Sequence, residues 1–513
     1  MLSTFLACVL VFCGAPTPVS AAPAAAGVRP GIEVFLDDVP AAVRGKRVGL
    51  ITNNTGINRA GTSDIDLIAQ NDDLTLVALL APEHGIRGTA EAGVTVGDGV
   101  DAKTGVPVYS LYGAQGNSPT PAMLKDVDVL VYDLQEVGGR TWTYVSTMAL
   151  SMQAAARKGI PFVVLDRPNP IGGDIVEGAL LDPAFSSFIG MYPIPARHGM
   201  TVGELATLFN RQQGIGADLT VVPAQGWSRG QWFDQTGLPW VNPSPNLRSL
   251  AAVTSYPGTV YFEGTNLSEG RGTDRPFEQI GAPWLDAAAV AATMNAFALP
   301  GIAFGAVTVP VADTAAKFPG QSIPAVRLTV TDRQAYRPVR TALVLIDAIR
   351  KQHPGDFAWG PSIDALTGSD QVRLAINADR LAPLRRRIGP SSAVISPPRN
   401  SGSVTPRSTT RRPYAASTPA TADKPCEKKI AVSVVMSVPD CSAASITTTP
   451  SDSPATIRLR RGKCRARGAV PSGASLRMSP PSAAMRACST ALIGQRDAIS
   501  AEIASNTPGG KAN

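Results

Sequence analysis

The sequence is poor in the residues that most often carry chemistry. Its six cysteines are Cys8, Cys13, Cys426, Cys441, Cys464 and Cys488, so nothing between Gly14 and Pro425 can form a disulfide, a thiolate nucleophile or a cysteine-held metal site. Histidine is scarcer still, with only His84, His198 and His353, too few and too scattered for an imidazole-based zinc site. No phosphate-loop lysine followed by Ser or Thr is present, and no Gly-x-Gly-x-x-Gly follows the first strand-like run. The central region has one Gly-x-Ser-x-Gly string, Gly226-Trp-Ser-Arg-Gly230, but no helical pattern follows it, so it does not read as a nucleophile elbow. Nucleotide chemistry and serine hydrolysis are thereby disfavoured, no cofactor or metal is expected, and carboxylates and hydroxyls are left to carry any reaction.

Basic charge is also missing where it would matter. The chain has 513 residues, 44% of them hydrophobic, and 47 Lys+Arg against 40 Asp+Glu, a formal net charge of +7. Residues 396–513 hold 17 basic and 6 acidic residues, which leaves 30 against 34 in residues 1–395, a net of −4. The excess therefore belongs to a tail, and the slightly acidic remainder gives no reason to expect nucleic acid as a partner.

Long apolar runs are absent as well. Residues 5–15 form an apolar stretch too short to span a bilayer comfortably, and Val19-Ser20-Ala21 offers a small-x-small cleavage site. Residues 1–21 read as a signal peptide, although no positive charge precedes the apolar run. A soluble protein without a membrane span, secreted or periplasmic, is expected after cleavage.

What the sequence does contain is an alternation of β-branched runs and helical patterns from Gly31 onward, the order of an α/β fold with helices on both faces of a parallel sheet. Strands are expected at 47–52, 74–80, 127–133 and 161–166, with the clearest helix at 143–158. This gives a Rossmann-like parallel-sheet domain over 30–239, without the dinucleotide fingerprint. A smaller α+β domain follows over 240–390, with a strand at 325–331 and a helix at 341–351. Ser, Thr, Pro and Arg dominate 391–513, a composition that cannot offset the entropy of ordering and reads as a disordered tail.

Polar clusters follow the strands, where such sheets build their binding crevices. In Ala81-Pro-Glu-His-Gly-Ile-Arg-Gly88, Glu83 follows an apolar strand in a setting that raises a carboxyl pKa and suits a general acid; the bland alternative is a helix cap or an ion pair with Arg87. In Asp133-Leu-Gln-Glu-Val-Gly-Gly-Arg-Thr-Trp-Thr-Tyr144, Arg140, Trp142 and Tyr144 suit a polar ring, or Glu136 simply pairs with Arg140. Asp166-Arg-Pro-Asn-Pro170 has prolines holding three hydrogen-bonding side chains, equally suited to a ligand or to a rigid turn in which Asp166 pairs with Arg167. Thr201 and Glu204 have capping-box spacing behind His198.

Seven motifs in order then carry a family resemblance: Pro82-Glu-His-Gly-Ile-Arg-Gly88, Thr104-Gly-Val-Pro-Val-Tyr-Ser-Leu-Tyr-Gly113, Asp133-Leu-Gln-Glu-Val-Gly138, Leu165-Asp-Arg-Pro-Asn-Pro170, Arg197-His-Gly-Met-Thr201, Trp240-Val-Asn-Pro-Ser-Pro-Asn246 and Glu263-Gly-Thr-Asn-Leu-Ser-Glu-Gly-Arg-Gly-Thr273. Over about 30–385 the chain resembles the bacterial exo-β-N-acetylmuramidase family. The resemblance implies a glycoside hydrolase that releases N-acetylmuramic acid from the non-reducing end of peptidoglycan fragments, with the active cleft between a Rossmann-like domain and a smaller one. Its partners would be peptidoglycan-derived disaccharides and muropeptides. Glu83 matches the glutamate of the family's Glu-His-Gly motif. Glu136 stands where the family more often has aspartate, so the carboxylate is kept with a longer reach. The family's aromatic-rich ending fades after Arg387.

Glycoside hydrolysis normally uses an acid and a second carboxylate. Glu83 is the expected acid and Glu136 its partner, with Glu263 and Glu269 in reserve. Arg140, Arg167 and Arg271 are the candidate cations for a lactyl carboxylate. His84, Tyr144, Asp166, Asn169, His198, Asn246, Asn266 and the two reserve glutamates complete the expected substrate-binding set. A non-catalytic muropeptide- or sugar-binding protein on the same fold is the alternative. The signal-peptide reading has its own check: N-terminal sequencing of secreted protein is expected to begin near Ala22, and an intact Met1 in a membrane fraction contradicts it.

Overall fold

The computed structural model describes residues 27–380, together with a separate two-stranded ribbon in which Val435–Met436 pairs with Ala444–Ser445. The expected signal peptide and, apart from that ribbon, the expected tail beyond 390 lie outside the described residues.

The first strands are β1 (Arg47–Thr52), β2 (Thr75–Ala81), β3 (Gly99–Val100), β4 (Pro107–Ser110), β5 (Val129–Asp133) and β6 (Phe162–Leu165). Next, β7 (Glu177–Leu180) and β8 (Pro195–Arg197) form a separate antiparallel hairpin, before β9 (Leu219–Val222) returns to the main sheet. The seven-stranded order is β3-β4-β2-β1-β5-β6-β9, parallel throughout except for β3 against β4. Strand order reverses at β1, so the loops leaving β1 and β5 meet at a topological switch point.

Two-residue periodicity sends alternate side chains to opposite faces, and both faces are covered. Val48, Leu50, Val129, Val131, Val163 and Leu165 pack on Ile32 and Phe35 of α1 (Gly31–Asp37) and on Ile65 and Ile68 of α2 (Asp64–Ala69). Their neighbours Ile51, Leu130, Tyr132, Phe162 and Val164 pack on α3 (Thr143–Lys158) and α4 (Val202–Gln212) through Val145, Met148, Met152, Leu205 and Phe209. Helix α3 has the expected bounds and stops at Gly159, whose φ of +72° a Cβ-bearing residue would resist. Helix α4 opens with the expected Thr201/Glu204 capping box. Strand ends shift by one or two residues from the sequence reading because an apolar run outlasts its hydrogen-bonded ladder.

The later domain contains α5 (Leu250–Thr259), β10 (Gln279–Gly281), α6 (Ala287–Ala296), β11 (Ile302–Pro310), β12 (Ser322–Val330), α7 (Pro338–Gln352), α8 (Ile363–Thr367) and α9 (Gln371–Asn377). Its three strands pair antiparallel in the order β10-β12-β11. Leu247, Tyr256, Phe262, Phe277, Leu345 and Ile349 belong to the same continuous apolar cluster as Leu80 and Tyr132, so a single core runs beneath both domains. Among the described residues no helix is long and apolar enough to cross a membrane.

A buried carboxylate reinforces that shared core. Glu177 on β7 accepts from Arg340 N at 2.7 Å and Val339 N at 3.2 Å, satisfying first-turn amides of α7 from across the domain boundary. Burial raises its pKa from 4.5 to about 7, against the opposing pull of those amides and of Arg197. Burial likewise raises Asp166 to about 6. The folded protein therefore holds protons that the unfolded chain releases, so stability is greatest below the unfolded pKa and is lost as pH rises towards 7. Urea titrations are expected to show a decline of up to about 3 kcal/mol from Glu177 over this window. Glu177→Gln should flatten that slope.

Candidate active site

The carboxyl edge of the sheet gathers acidic side chains that are nearly all buried: Glu83 after β2, Asp133 at the end of β5, Glu136 just beyond, Asp166 after β6, and Asp64 at the start of α2. A buried carboxylate is tolerated only when its oxygens meet donors or its charge is neutralised. The way each one meets this demand separates scaffold from candidate chemistry.

Asp133 is scaffold. Arg167 engages it through Nε–Oδ1 at 2.5 Å and Nη2–Oδ2 at 2.9 Å, and Arg167 Nη2 also donates to Ile57 O at 3.0 Å. Asp64, beside this pair, receives Thr52 Oγ1 at 2.5 Å and Ile65 N at 2.7 Å; burial and the charge of Asp133 push its pKa well up. Gly56 is required here, since a Cβ would come within 2.1 Å of Asp64 Oδ2. Asp166 is scaffold too: it receives Thr201 Oγ1 and Gly203 N at 2.8 Å each and Arg167 N at 3.0 Å, tying β6 to the start of α4. The pairing of Asp166 with the Arg167 side chain considered from sequence does not occur, because that guanidinium is taken by Asp133.

Glu136 receives Gly138 N on Oε2 and His198 Nε2 on Oε1 at 3.1 Å. His198 Nδ1 accepts from Met200 N at 3.2 Å, which assigns the ring hydrogen to Nε2 and makes the imidazole a donor to Glu136. The alternative pairing with Arg140 is not formed. Instead Arg140 donates to Ala179 O at 2.9 Å, Ile194 O at 3.0 Å and Leu366 O at 3.2 Å, a buried tie among backbone segments. Asn169 bridges Met200 O and Ile171 N, and Asn266 bridges Asp356 O and Ala358 N. These side chains hold loops together.

Glu83 is different. It follows β2 by two residues, in a turn closed by Gly85 N to Pro82 O at 3.0 Å. Its Oε2 accepts from Thr143 Oγ1, the first residue of α3, at 2.6 Å, and its Oε1 from Gly93 N at 2.9 Å. The alternative pairing with Arg87 is absent, since Arg87 pairs with Asp101 at 2.8 Å. Tyr144 Oη receives Asn53 Nδ2 at 2.8 Å and lies 2.9 Å from Pro243 O and 3.3 Å from Glu83 O, linking the loops after β1 and β2 to the 240–246 segment. Asn246 joins the same assembly by donating to Glu91 Oε2 at 2.7 Å.

Next to Glu83, His84 has φ +73°, a left-handed conformation that costs a non-glycine residue about 1–2 kcal/mol. Its ring lies 6.2 Å from Trp142 and 6.5 Å from Tyr144, and Trp142 meets Tyr256 edge-on at 6.0 Å. From the later domain, Arg271 Nη1 bridges Glu263 Oε1 at 2.5 Å and Glu269 Oε1 at 2.9 Å, while Lys317 Nζ takes Glu269 Oε2 at 3.1 Å. Burial raises the Glu263 pKa, with the charge of Glu269 adding to it; burial acts on Glu269 in the same sense, but Lys317 and Arg271 outweigh it and hold that carboxyl low. Glu83, Glu263 and Arg271 all act electrostatically on Tyr256, and Glu83, Glu91 and Arg271 on His84, so both domains contribute charge to one neighbourhood.

Of the site residues expected from sequence, Glu83, His84, Tyr144, Asn246, Glu263, Glu269 and Arg271 lie in or next to that neighbourhood. Arg140, Asp166, Arg167, Asn169, Asn266 and the Glu136–His198 pair instead serve the surrounding framework. Thr143, Gly93, Asn53, Glu91 and Lys317 were missed. Thr143 alone left a signal, as the first residue of a clearly periodic helix.

Carboxylates, hydroxyls and aromatic rings are gathered at the carboxyl edge of a doubly wound sheet, the place where α/β enzymes build their sites. Residues 48–251 match the family described as exo-beta-N-acetylmuramidase NamZ, N-terminal, and residues 254–387 match its C-terminal counterpart. The chain is 49% identical over 351 residues to the peptidoglycan beta-N-acetylmuramidase NamZ of Bacillus subtilis, covering 68% of this chain and 84% of that protein. Two crystal structures of DUF1343 family proteins from Bacteroides fragilis are also similar. One is 34% identical with a TM-score of 0.65, covering 70% of this chain and 94% of its own. The other is 31% identical with a TM-score of 0.55, covering 71% and 94%. The chain belongs to the exo-beta-N-acetylmuramidase NamZ family.

The framework role of Arg167 can be measured. Arg167→Met leaves Asp133 buried without its partner and is expected to cost about 3–5 kcal/mol in urea denaturation, with little change in KM for the folded fraction. A raised KM at unchanged stability would instead make Arg167 a substrate ligand.

Proposed function

We propose that this chain hydrolyses the glycosidic bond of a terminal N-acetylmuramic acid at the non-reducing end of peptidoglycan fragments, with Glu83 as the acid that protonates the leaving oxygen. The reading is supported by the family and by the activity in the name of the Bacillus subtilis relative. The single observation that carries the residue assignment is the setting of Glu83: a buried carboxyl at the carboxyl edge of β2, oriented by Thr143 Oγ1 and Gly93 N, in a neighbourhood to which the second domain adds Glu263 and Arg271.

An acid of this kind needs a second group to stabilise or attack the sugar carbon. Glu136, the first choice from sequence, has both oxygens engaged by Gly138 and His198. Glu263 fits the role better, since it shares the electrostatic surroundings of Glu83 and Arg271 occupies only one of its oxygens. Arg271, with 26% of its side chain exposed, is the cation best placed to meet a lactyl carboxylate. The active cleft would then lie between the domains, and its substrates would be disaccharides and muropeptides outside the cytoplasm, in keeping with the leader read from residues 1–21.

The test compares Glu83→Gln with wild type on an N-acetylmuramyl disaccharide and on a chromogenic β-N-acetylmuraminide. Loss of the proton donor is expected to lower turnover of the disaccharide about 10²–10⁴-fold while binding persists. The chromogenic substrate, whose leaving group needs less protonation, should suffer less. Near wild-type rates on both would remove Glu83 from the mechanism. Tight binding without turnover by the wild type would favour a sugar-binding protein.

A further inference from the structure

The His84 imidazole is more constrained than a structural role requires. Its Nδ1 lies 2.6 Å from Ala90 O, and because a carbonyl can only accept, the ring hydrogen is assigned to Nδ1. Nε2 is then a bare acceptor. It has no hydrogen-bond partner among the described residues, and it is not among the polar atoms sealed from solvent without a partner, so it keeps some access to solvent, on the residue that follows Glu83. Burial lowers the ring's pKa, with Arg271 acting in the same sense and Glu83, the Ala90 carbonyl and Glu91 opposing, a balance that favours the neutral imidazole. The ring plane is set by Trp142 and Tyr144. The left-handed φ of +73° is a conformation that glycine would adopt without strain, and strain of this kind gathers where a side chain must be aimed. The Nδ1 bond explains how the ring is held; among the described residues nothing uses the lone pair it holds in place.

We propose that His84 is a specificity residue whose Nε2 accepts a hydrogen bond from a ring hydroxyl of the terminal N-acetylmuramic acid. The proposal rests on the function proposed above. In that sugar O3 carries the lactyl ether and O1 the bond to be cleaved, so the hydroxyl donors are those at positions 4 and 6. A neutral, fixed acceptor rewards a sugar that presents such a donor and leaves an unmet lone pair when the donor is missing, which is how a polar site discriminates strongly. If the donor is the 4-hydroxyl, His84 also reads the chain end, because in an internal residue O4 is substituted and carries no hydrogen.

The experiment is a cycle on the full chain with a chromogenic β-N-acetylmuraminide and its 4-deoxy and 6-deoxy analogues. Wild type is compared with His84→Asn and His84→Gly, the two replacements most compatible with a left-handed backbone. One analogue is expected to lower the wild-type kcat/KM about 10–100-fold; the variants should lose a similar factor on the parent substrate and little more on that analogue. Losses that multiply independently, or a wild type indifferent to both analogues, overturn the proposal. Thermal melts check that the variants fold. A second arm needs no variant: N-acetylmuramic acid fluorinated at the relevant position keeps an acceptor but not a donor, and should inhibit wild type as poorly as the deoxy sugar. Fluoro-sugar inhibition equal to that of the parent sugar also overturns the proposal. A wild type that turns over none of these substrates overturns the function reading with it, whereas turnover with independent losses overturns only the role of His84.

Discussion

Burial of carboxylates at one edge of the sheet is the constraint on which the rest of the site depends. Parallel strands covered on both faces place their carboxyl ends in a crowded, weakly solvated rim, and Asp64, Glu83, Asp133, Glu136 and Asp166 are all nearly enclosed there. The protein meets the cost in distinct ways. Asp133 has a guanidinium, Asp64 meets the Thr52 hydroxyl and the Ile65 amide, Asp166 holds the start of a helix, and Glu136 is closed by a backbone amide and an imidazole. Only Glu83 takes its donors from a hydroxyl and a loop amide while sharing its surroundings with charges from another domain. Four of the five carboxyls thus fix the loops that leave β1, β5 and β6, and the rigidity they supply lets the fifth be aimed.

The later domain depends on the same rim. Apart from a small cluster of Val309, Val311, Ile323 and Ala325, its apolar residues, Tyr256, Phe262 and Phe277 among them, pack into the cluster beneath the main sheet. Glu177 and Arg140 add polar ties that cross the boundary, one to the start of α7 and one to Leu366 O. Glu263 and Arg271 therefore sit on a unit most of whose apolar face packs against the first domain.

Much of this was legible in the sequence, and the reason differs from element to element. The sheet was readable because doubly buried strands are continuous apolar runs, and α3 because its pattern lasts sixteen residues and ends at a glycine. Glu83 stood out as an acid placed straight after such a run. The division of labour among the other polar residues was not legible. Arg140, Arg167 and Asn169 have the composition of a sugar site, yet their partners are carbonyls and a carboxylate brought close only by tertiary folding, from Leu366 O to Asp133. A local motif says which groups are present, whereas which of them remain unmet depends on how the chain folds back on itself, over 34 residues for Arg167 with Asp133 and 226 for Arg140 with Leu366. The free lone pair of His84 was not legible either, since it follows from a carbonyl six residues away and from a backbone angle.

In the proposed function the glycosidic oxygen is delivered to residue 83. Its most direct test is a crystal structure of the Glu83→Gln variant with an uncleaved N-acetylmuramyl disaccharide. The account predicts the scissile oxygen within about 3 Å of the side-chain amide at position 83, with the lactyl carboxylate turned towards Arg271. A disaccharide bound with that oxygen against Glu136, and residue 83 out of reach, would contradict it.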